Sequence, residues 1–537
     1  MSEVKRSPWW QRAVIYQIYV RSFADGNGDG IGDLPGICRR LPYLKDLGVD
    51  AVWLTPFYVS PMADGGYDVA NYREIDPIFG TMADFDALVE RAHDLGLRLI
   101  VDIVPNHTSS AHPWFVEAIA SSPGSAARDR YVFRPGRGPG GELPPNDWES
   151  GFSGPAWTRL PSSDGEPGEW YLHLFAPEQP DLNWENPHVA EEFKAILRFW
   201  LDRGVDGFRV DVAHGLVKDP LLTDVGRVGR TDRDANPPRP YFDQDGVHEI
   251  YREWRKVLDS YSGERIAVAE AWVRDPERLA RYVRQDELHQ AFNFDFLKAS
   301  WDARKLRDAI TTSLDATNAV GAPATWVLSN HDVARCATRY GGGAKGQRRA
   351  RAAALLLLAL PGSAYIYQGD ELGLPEVDLP DDVRQDPVWQ RSGHTIRGRD
   401  GCRVPMPWAG DATPFEFTTG VEPAWLPVPE GWRDRTIAAQ QADEESMLAL
   451  YRAALRIRRR HPALGAGAMS WLPAPANTLA FRREPGFVCV VNLNKRPITY
   501  PTDQQVLCAS GPVEPTDAGL VVPADTAAWL STDGYRQ

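Results

Sequence analysis

Arg98-Leu99-Ile100-Val101-Asp102-Ile103-Val104-Pro105-Asn106-His107 is a run of apolar, mostly branched residues that holds one carboxylate and ends at a proline turn. Apolar side chains at both odd and even positions mark a strand buried on both faces, the habit of parallel sheets. Working outward, seven more short β-rich runs are found: Ala13–Val20, Ala51–Phe57, Gly207–Val212, Arg265–Ala271, Phe292–Phe296, Thr325–Asp332 and Ala364–Gln368. Helical stretches separate them. Phe85, Leu88, Val89 and Ala92 recur at helical spacing within Met82–Leu95, as do Phe193, Ile196, Leu197 and Trp200 within Val189–Arg203. Strands alternating with amphipathic helices predict an α/β fold, a (β/α)8 TIM barrel. A doubly wound open sheet is the alternative, but no glycine-rich dinucleotide turn follows the first strand.

Three segments interrupt the alternation. Residues 107–175 are rich in Pro, Gly, Ser and Trp and read as an inserted domain after strand 3. A second insertion, at about residues 369–432, follows strand 8. Short alternating runs after Pro462, namely Thr478–Arg482, Phe487–Leu493 and Gly519–Val522, predict a C-terminal antiparallel β-sheet domain, sandwich-like, over 463–537. Residues 1–106 and 176–462 then form the barrel.

Composition narrows the function classes. The 537 residues are 43% hydrophobic, enough for a core, so a largely disordered chain is excluded. The net charge of -14 argues against general affinity for nucleic acid or anionic membranes and fits a neutral ligand. The 19 tryptophans exceed what a core readily accommodates, so some rings are expected to stack on a ligand. Cys38, Cys336, Cys402, Cys489 and Cys508 have no short spacing and suggest neither a disulfide framework nor a zinc site. The start, MSEVKRSPWW, lacks a signal-peptide apolar run, and the longest apolar run, Ala352–Leu360, is too short to span a bilayer. A cytoplasmic enzyme, monomeric or a small homo-oligomer, is expected.

In a barrel the active site lies at the C-terminal ends of the strands. Strand 3 ends in Asp102–His107, strand 4 in Gly207-Phe208-Arg209-Val210-Asp211, strand 5 in Val268-Ala269-Glu270-Ala271-Trp272, and strand 7 in Ser329-Asn330-His331-Asp332. A buried carboxylate without a partner is costly or takes up a proton. One could be a structural ion pair; several at corresponding ends, with His and Arg beside them, point to a site. Two carboxyl groups about 5–5.5 Å apart suit retaining glycoside hydrolysis, one as nucleophile and one as acid/base. Arg209, two residues before Asp211 on a strand, projects to the same face and can keep it ionised.

These four segments together resemble the short conserved regions of the α-amylase family of glycoside hydrolases, a resemblance that covers nearly the whole chain. It implies Asp211 as nucleophile, Glu270 as acid/base and Asp332 as transition-state stabiliser. It implies His107 and His331 as sugar-binding histidines and Asp102 as mainly structural. Gln179-Pro180-Asp181-Leu182-Asn183-Trp184 and Gly398-Arg399-Asp400-Gly401, with Arg403, Pro405, Met406 and Trp408, resemble motifs of the oligo-1,6-glucosidase and α-glucosidase branch. There Tyr67 would stack on the terminal glucose, Asp68 would bind its outer hydroxyls, and Arg399 would pair with Asp68 to close the pocket. Val212 after the nucleophile accompanies α-1,6 cleavage in that branch, whereas Ala213-His214 departs from its usual pattern.

The Asp25-Gly26-Asn27-Gly28-Asp29-Gly30-Ile31-Gly32-Asp33 run sets oxygen side chains at alternate positions. It is not an EF-hand, because position twelve is Gly36. The branch has a metal loop of this form, which implies a structural calcium or magnesium ion on Asp25, Asn27, Asp29, Ile31 and Asp33. Asx turns without metal are the alternative. The sequence reading is an exo-acting, retaining α-glucosidase acting on a small α-glucoside, with no organic cofactor. A glucosyl isomerase or transglucosylase of the same fold, of trehalose synthase or sucrose isomerase type, is the alternative. A non-catalytic, transporter-associated barrel is disfavoured because the carboxylates are present and an anchor is not.

Overall fold

The computed structural model describes residues 8–161, 168–226, 239–465 and 468–531. Eight parallel strands form a nearly closed barrel: β1 (Val14–Ile18), β2 (Ala51–Leu54), β3 (Arg98–Ile103), β4 (Gly207–Val210), β5 (Ile266–Ala269), β6 (Gln290–Ala291), β7 (Thr325–Val327) and β8 (Ser363–Tyr367). Seven neighbouring pairs form continuous ladders, and β1 joins β8 as well as β2. Between β6 and β7 the hydrogen bond from the Asn293 N–H to the Thr325 carbonyl, at 3.3 Å, spans the seam.

Seven of the strands overlap the expected runs, six of them with shorter ends and the eighth shifted one residue earlier, whereas the sixth is displaced. Phe292–Phe296 has an alternating aromatic pattern, yet its first residues follow the strand and Phe294–Lys298 is a helix. Asn293 is the reason: its side chain accepts the N–H of Phe296 at 2.9 Å and caps that helix. The strand lies two residues earlier.

Each strand is buried between the barrel interior and the surrounding helices. Ile15, Trp53, Ile100, Ile266, Val268, Val327 and Tyr365 pack within the barrel. Val52, Leu99, Val101, Phe208 and Ala267 face outward, in the same core as helix residues Phe85, Leu88, Phe193 and Trp200. The helix Met82–Asp94 opens with a reciprocal capping box between Thr81 and Asp84.

Within 107–175, strands Phe133–Arg134, Trp157–Arg159 and Trp170–Leu172 form a small antiparallel sheet. Its apolar cluster, including Trp148, Trp157 and Leu172, also takes Tyr241 from the long excursion after β4. Part of the charged, proline-containing loop from Gly215 to Tyr241 lies outside the described residues. The C-terminal region packs a five-stranded antiparallel sheet against a three-stranded one. Along Phe487–Asn492 alternate residues split: Val488 and Val490 face the second sheet, while Phe487, Cys489 and Val491 face the barrel side. Trp529 of the adjoining strand donates its indole N–H to the Leu355 carbonyl at 3.1 Å, fastening this sheet to the helix Gly343–Ala359. All five cysteines are free thiols, and no described helix is long and apolar enough to cross a membrane.

Candidate active site

The site is built where β3, β4, β5 and β7 run out at one end of the barrel. On β4, alternation puts Arg209 and Asp211 on the same side, and Arg209 stands opposite Asp102 of β3 in the ladder. One guanidinium nitrogen of Arg209 donates to Asp102 at 2.8 Å and to Asp211 at 2.5 Å; the other lies 3.8 Å from Glu270. Asp102 also accepts from the Trp53 indole at 3.1 Å and the Tyr67 hydroxyl at 2.9 Å. It therefore fixes Arg209 from below and is itself fully buried.

The chain turns directly beyond Asp211. Val212 has φ of +44°, an uncommon conformation for a β-branched residue, and its N–H points at Glu270 Oε2, 2.7 Å away. The other Glu270 oxygen, Oε1, accepts the indole N–H of Trp272. Asp332 lies five residues beyond the end of β7, where its N–H is held by the Asn330 side chain at 2.9 Å. Its carboxylate accepts from Arg399 at 3.1 Å and Arg403 at 3.3 Å, with His331 at 3.4 Å.

These environments push the three carboxyl groups apart. Burial raises Glu270 to about 8, against the pull of Arg209 and with the support of the neighbouring Asp211 and Asp332 charges. Burial raises Asp211 as well, to about 6, with Arg209 opposing it. Burial would also raise Asp332, but His331, Arg399, Arg403 and Arg209 outweigh it and hold the group well below the usual carboxylate range. Because burial drives His331 itself toward the neutral form, the guanidinium groups are the main cause. Near neutral pH the result is a protonated Glu270 facing two ionised aspartates.

Tyr67, His107, Asp211, Glu270, His331, Asp332 and Arg399 line one cleft of about 1020 Å³, and Arg209 lies beneath it. Tyr67 stacks on His331 with ring centroids 5.2 Å apart. The His107 ring contacts Asn106, Gln179 and the Tyr67 carbonyl. Gln17 donates to His331 Nδ1 at 2.7 Å, which leaves the Nε2 side toward Asp332.

Asp68 is the exception. It is fully buried, and its carboxylate accepts the N–H groups of Ala63 and Asp64 at 2.9 and 3.0 Å, closing its own loop. Arg399 pairs instead with Asp64, at 2.6 Å, and with Asp386, also at 2.6 Å. Gly65 and Gly66, at φ of +59° and +104°, turn the chain so that Asp64 and Tyr67 both line the cleft. Gly398 allows the close approach of Asp386, since a Cβ there would lie 2.7 Å from the Asp386 side chain. Sequence reasoning missed Asp64, Asp386 and the Trp272 contact. Asp64 was findable as the polar residue just before a double-glycine turn; Asp386, far from any strand end, gave no local signal. Trp272 is the tryptophan that lines the cleft, and it stacks on Phe294 at 3.7 Å rather than standing free.

The Asp25–Asp33 loop follows β1, away from these carboxylates. Asp25 accepts the N–H groups of Asn27, Gly28 and Gly30, and Asp33 those of Asn27 and Gly36, so Asx turns shape it. No three Asp, Glu, His or Cys side chains among the described residues form a ready metal cage. The chemistry of the loop nonetheless suits a hard cation. Asp25 and Asp33 are both buried and share the Asn27 amide, and among the described residues no cationic side chain pairs with them. Arg39 donates to the carbonyls of Asp25 and Gly26 instead.

Comparison with known proteins shows the family. Residues 17–467 match the family model described as "Alpha amylase, catalytic domain". A probable α-glucosidase of Rhizobium meliloti is 40% identical over 520 residues, 91% of this chain and 90% of that protein. An oligo-1,6-glucosidase of Parageobacillus thermoglucosidasius is 39% identical over 84% of each chain. Among solved structures, the α-glucosyl transfer enzyme XgtA superposes with a TM-score of 0.87 at 38% identity, covering 98% of this chain and 100% of its own. The trehalulose synthase MutB of Pseudomonas mesoacidophila does so at 0.88 and 31%, with the same coverage. The chain belongs to the α-amylase family of glycoside hydrolases.

Proposed function

We propose that this protein is an exo-acting, retaining α-glucosidase that removes terminal glucose from short α-glucosides. The observation that carries the reading is the ion-paired wall of the cleft, where Arg399 ties Asp64 to Asp332 beside the catalytic carboxylates. A cleft closed at that end suits a chain terminus rather than the middle of a polymer. Glu270 protonates the glycosidic oxygen while Asp211 attacks the anomeric carbon, and the C1–O bond breaks. Asp332, kept ionised by arginines, stabilises the positive charge that develops on the ring. The deprotonated Glu270 then takes a proton from water while the water oxygen bonds C1 and the C1–Asp211 bond breaks, which releases glucose. Arg209 bonded to Asp211 and near Glu270 supports two carboxyl groups set close together, as retention requires.

A time course on maltose, isomaltose, sucrose and trehalose tests this. Stoichiometric glucose, or the two constituent sugars, supports hydrolysis; an isomeric disaccharide as main product sinks it. That second outcome corresponds to the isomerase or transglucosylase reading, favoured by the similarity to XgtA and MutB. The same proposal includes a structural calcium or magnesium ion held by Asp25, Asn27, Asp29, the Ile31 carbonyl and Asp33. Its charge would offset the two buried carboxylates of that loop.

A further inference from the structure

The two oxygens of Glu270 are not equivalent. Oε2 accepts the Val212 N–H at 2.7 Å and is the oxygen nearest Arg209, at 3.8 Å. The N–H donor and the guanidinium both sit on the chain segment that bears Asp211. Oε1 accepts the indole N–H of Trp272. A proton added to Glu270 avoids the oxygen that faces a main-chain donor and a cation, so it resides on Oε1. We infer that Trp272 is a positioning residue for the acid/base: its indole N–H marks Oε1 as the oxygen that exchanges the proton and stabilises the carboxylate that remains once the proton has left.

The inference rests on the assignment of Glu270 as acid/base. The placement of the indole is specific. Trp272 lies two residues after Glu270, so an extended chain brings both side chains to the same side of the barrel mouth. The ring is held face to face on Phe294, with centroids 3.7 Å apart and planes within 7°, and the Lys298 ammonium lies 4.3 Å from its centroid. With its faces engaged in this way, the ring offers its N–H edge to the site. The N–H favours the ionised form of Glu270, as a hydrogen bond to a carboxylate does. In the first half-reaction, the proton passes from Oε1 to the leaving oxygen as C1–O breaks, and the indole N–H bonds to the new carboxylate. In the second, Oε1 takes a proton from water or an acceptor hydroxyl as the oxygen of that molecule bonds C1 and the bond from C1 to Asp211 breaks. The other groups that face Glu270 are Arg209 and Asp211 of the β4 segment, Asp332 across the cleft, and Tyr251 and His214 behind the Val212–Ala213 turn.

Trp272 is half-buried at the cleft, at the edge of the barrel's inner cluster, so Trp272→Phe keeps the aromatic stack and removes the donor. The pH profile of kcat/KM is measured on an alkyl α-glucoside, which needs the acid, and on a nitrophenyl α-glucoside, which needs it little. Trp272→Phe should move the alkaline limb upward by about one unit, since one pKa unit corresponds to a single charge-assisted hydrogen bond of ordinary strength. It should also change the ratio of activities on the two substrates. Phe294→Leu, which loosens the stack that aims the N–H but keeps the donor, should move the limb less than Trp272→Phe does. An unmoved limb in Trp272→Phe overturns the inference, as does an equal shift in both variants. Glu270→Gln separates the two levels. If that variant retains activity on the alkyl glucoside and keeps the same limb, the assignment of the acid/base fails; if it does not, only the role of Trp272 is at stake.

Discussion

Asp211 and Glu270 share Arg209 as a neighbour, yet burial pushes Glu270 further up, because Asp211 Oδ1 lies 2.5 Å from the guanidinium and the Glu270 oxygen 3.8 Å from it. The proposed mechanism needs Asp211 ionised and Glu270 protonated. Activity should therefore rise with pH as Asp211 loses its proton, around 6, and fall as Glu270 loses its proton, around 8. A pH profile of kcat/KM on an alkyl α-glucoside checks the bell; a rate that climbs steadily to pH 9 contradicts it. The second residue-scale claim is that Asp64, not Asp68, holds Arg399. Asp64→Asn should lower kcat/KM by at least about tenfold, the equivalent of ~1.4 kcal/mol. Steady-state kinetics on maltose would show it. Asp68 and Asp64 lie in one short segment, and sequence alone does not say which carboxylate turns back on its own backbone. That choice is made by Gly65 and Gly66.

At the scale of elements, the strands were legible because a parallel barrel strand is apolar on both faces, and its exit is marked by a carboxylate. Asp211, Glu270 and Asp332 each follow such a run and Asp102 lies near the end of one, so the end of the barrel where the carboxylates gather could be read directly. β6 was misplaced because Phe292, Phe294 and Phe296 alternate like a strand, while Asn293 caps a helix there. The groups that close the cleft from the second insertion were only partly legible. Arg399 lay in a recognisable motif, but its partner Asp386 is brought to it by the fold of an irregular segment. Helix Pro187–Asp202 shows the opposite case, in which periodicity alone identifies the packing face. Trp200 is fully buried on that face, between Phe57, Tyr58 and Phe85, and its indole N–H reaches the Tyr72 carbonyl at 2.9 Å. Trp200→Ala should cost about 3–5 kcal/mol of stability. Urea unfolding measures the loss; a change below about 1 kcal/mol contradicts the packing described.

At the scale of the whole molecule, the -14 net charge acquires a more specific meaning. Part of it is the ring of aspartates and glutamate at the barrel mouth, and part is the Asp25–Asp33 loop. If that loop holds a cation, removing it with a chelator should lower the melting temperature by several degrees, because a ligand bound only to the folded state stabilises it by mass action. Addition of calcium or magnesium should restore the temperature, and an unchanged melting curve favours bare Asx turns. The barrel and its two insertions together build one cleft, lined by Asp211, Glu270 and Asp332, with Arg399 bridging one wall. The most direct test follows the anomeric protons by NMR during the first minutes of maltose hydrolysis, before mutarotation. The account predicts that the glucose released from the non-reducing end appears first as the α-anomer. β-Glucose as the first product from that end, or no release of glucose at all, would contradict it.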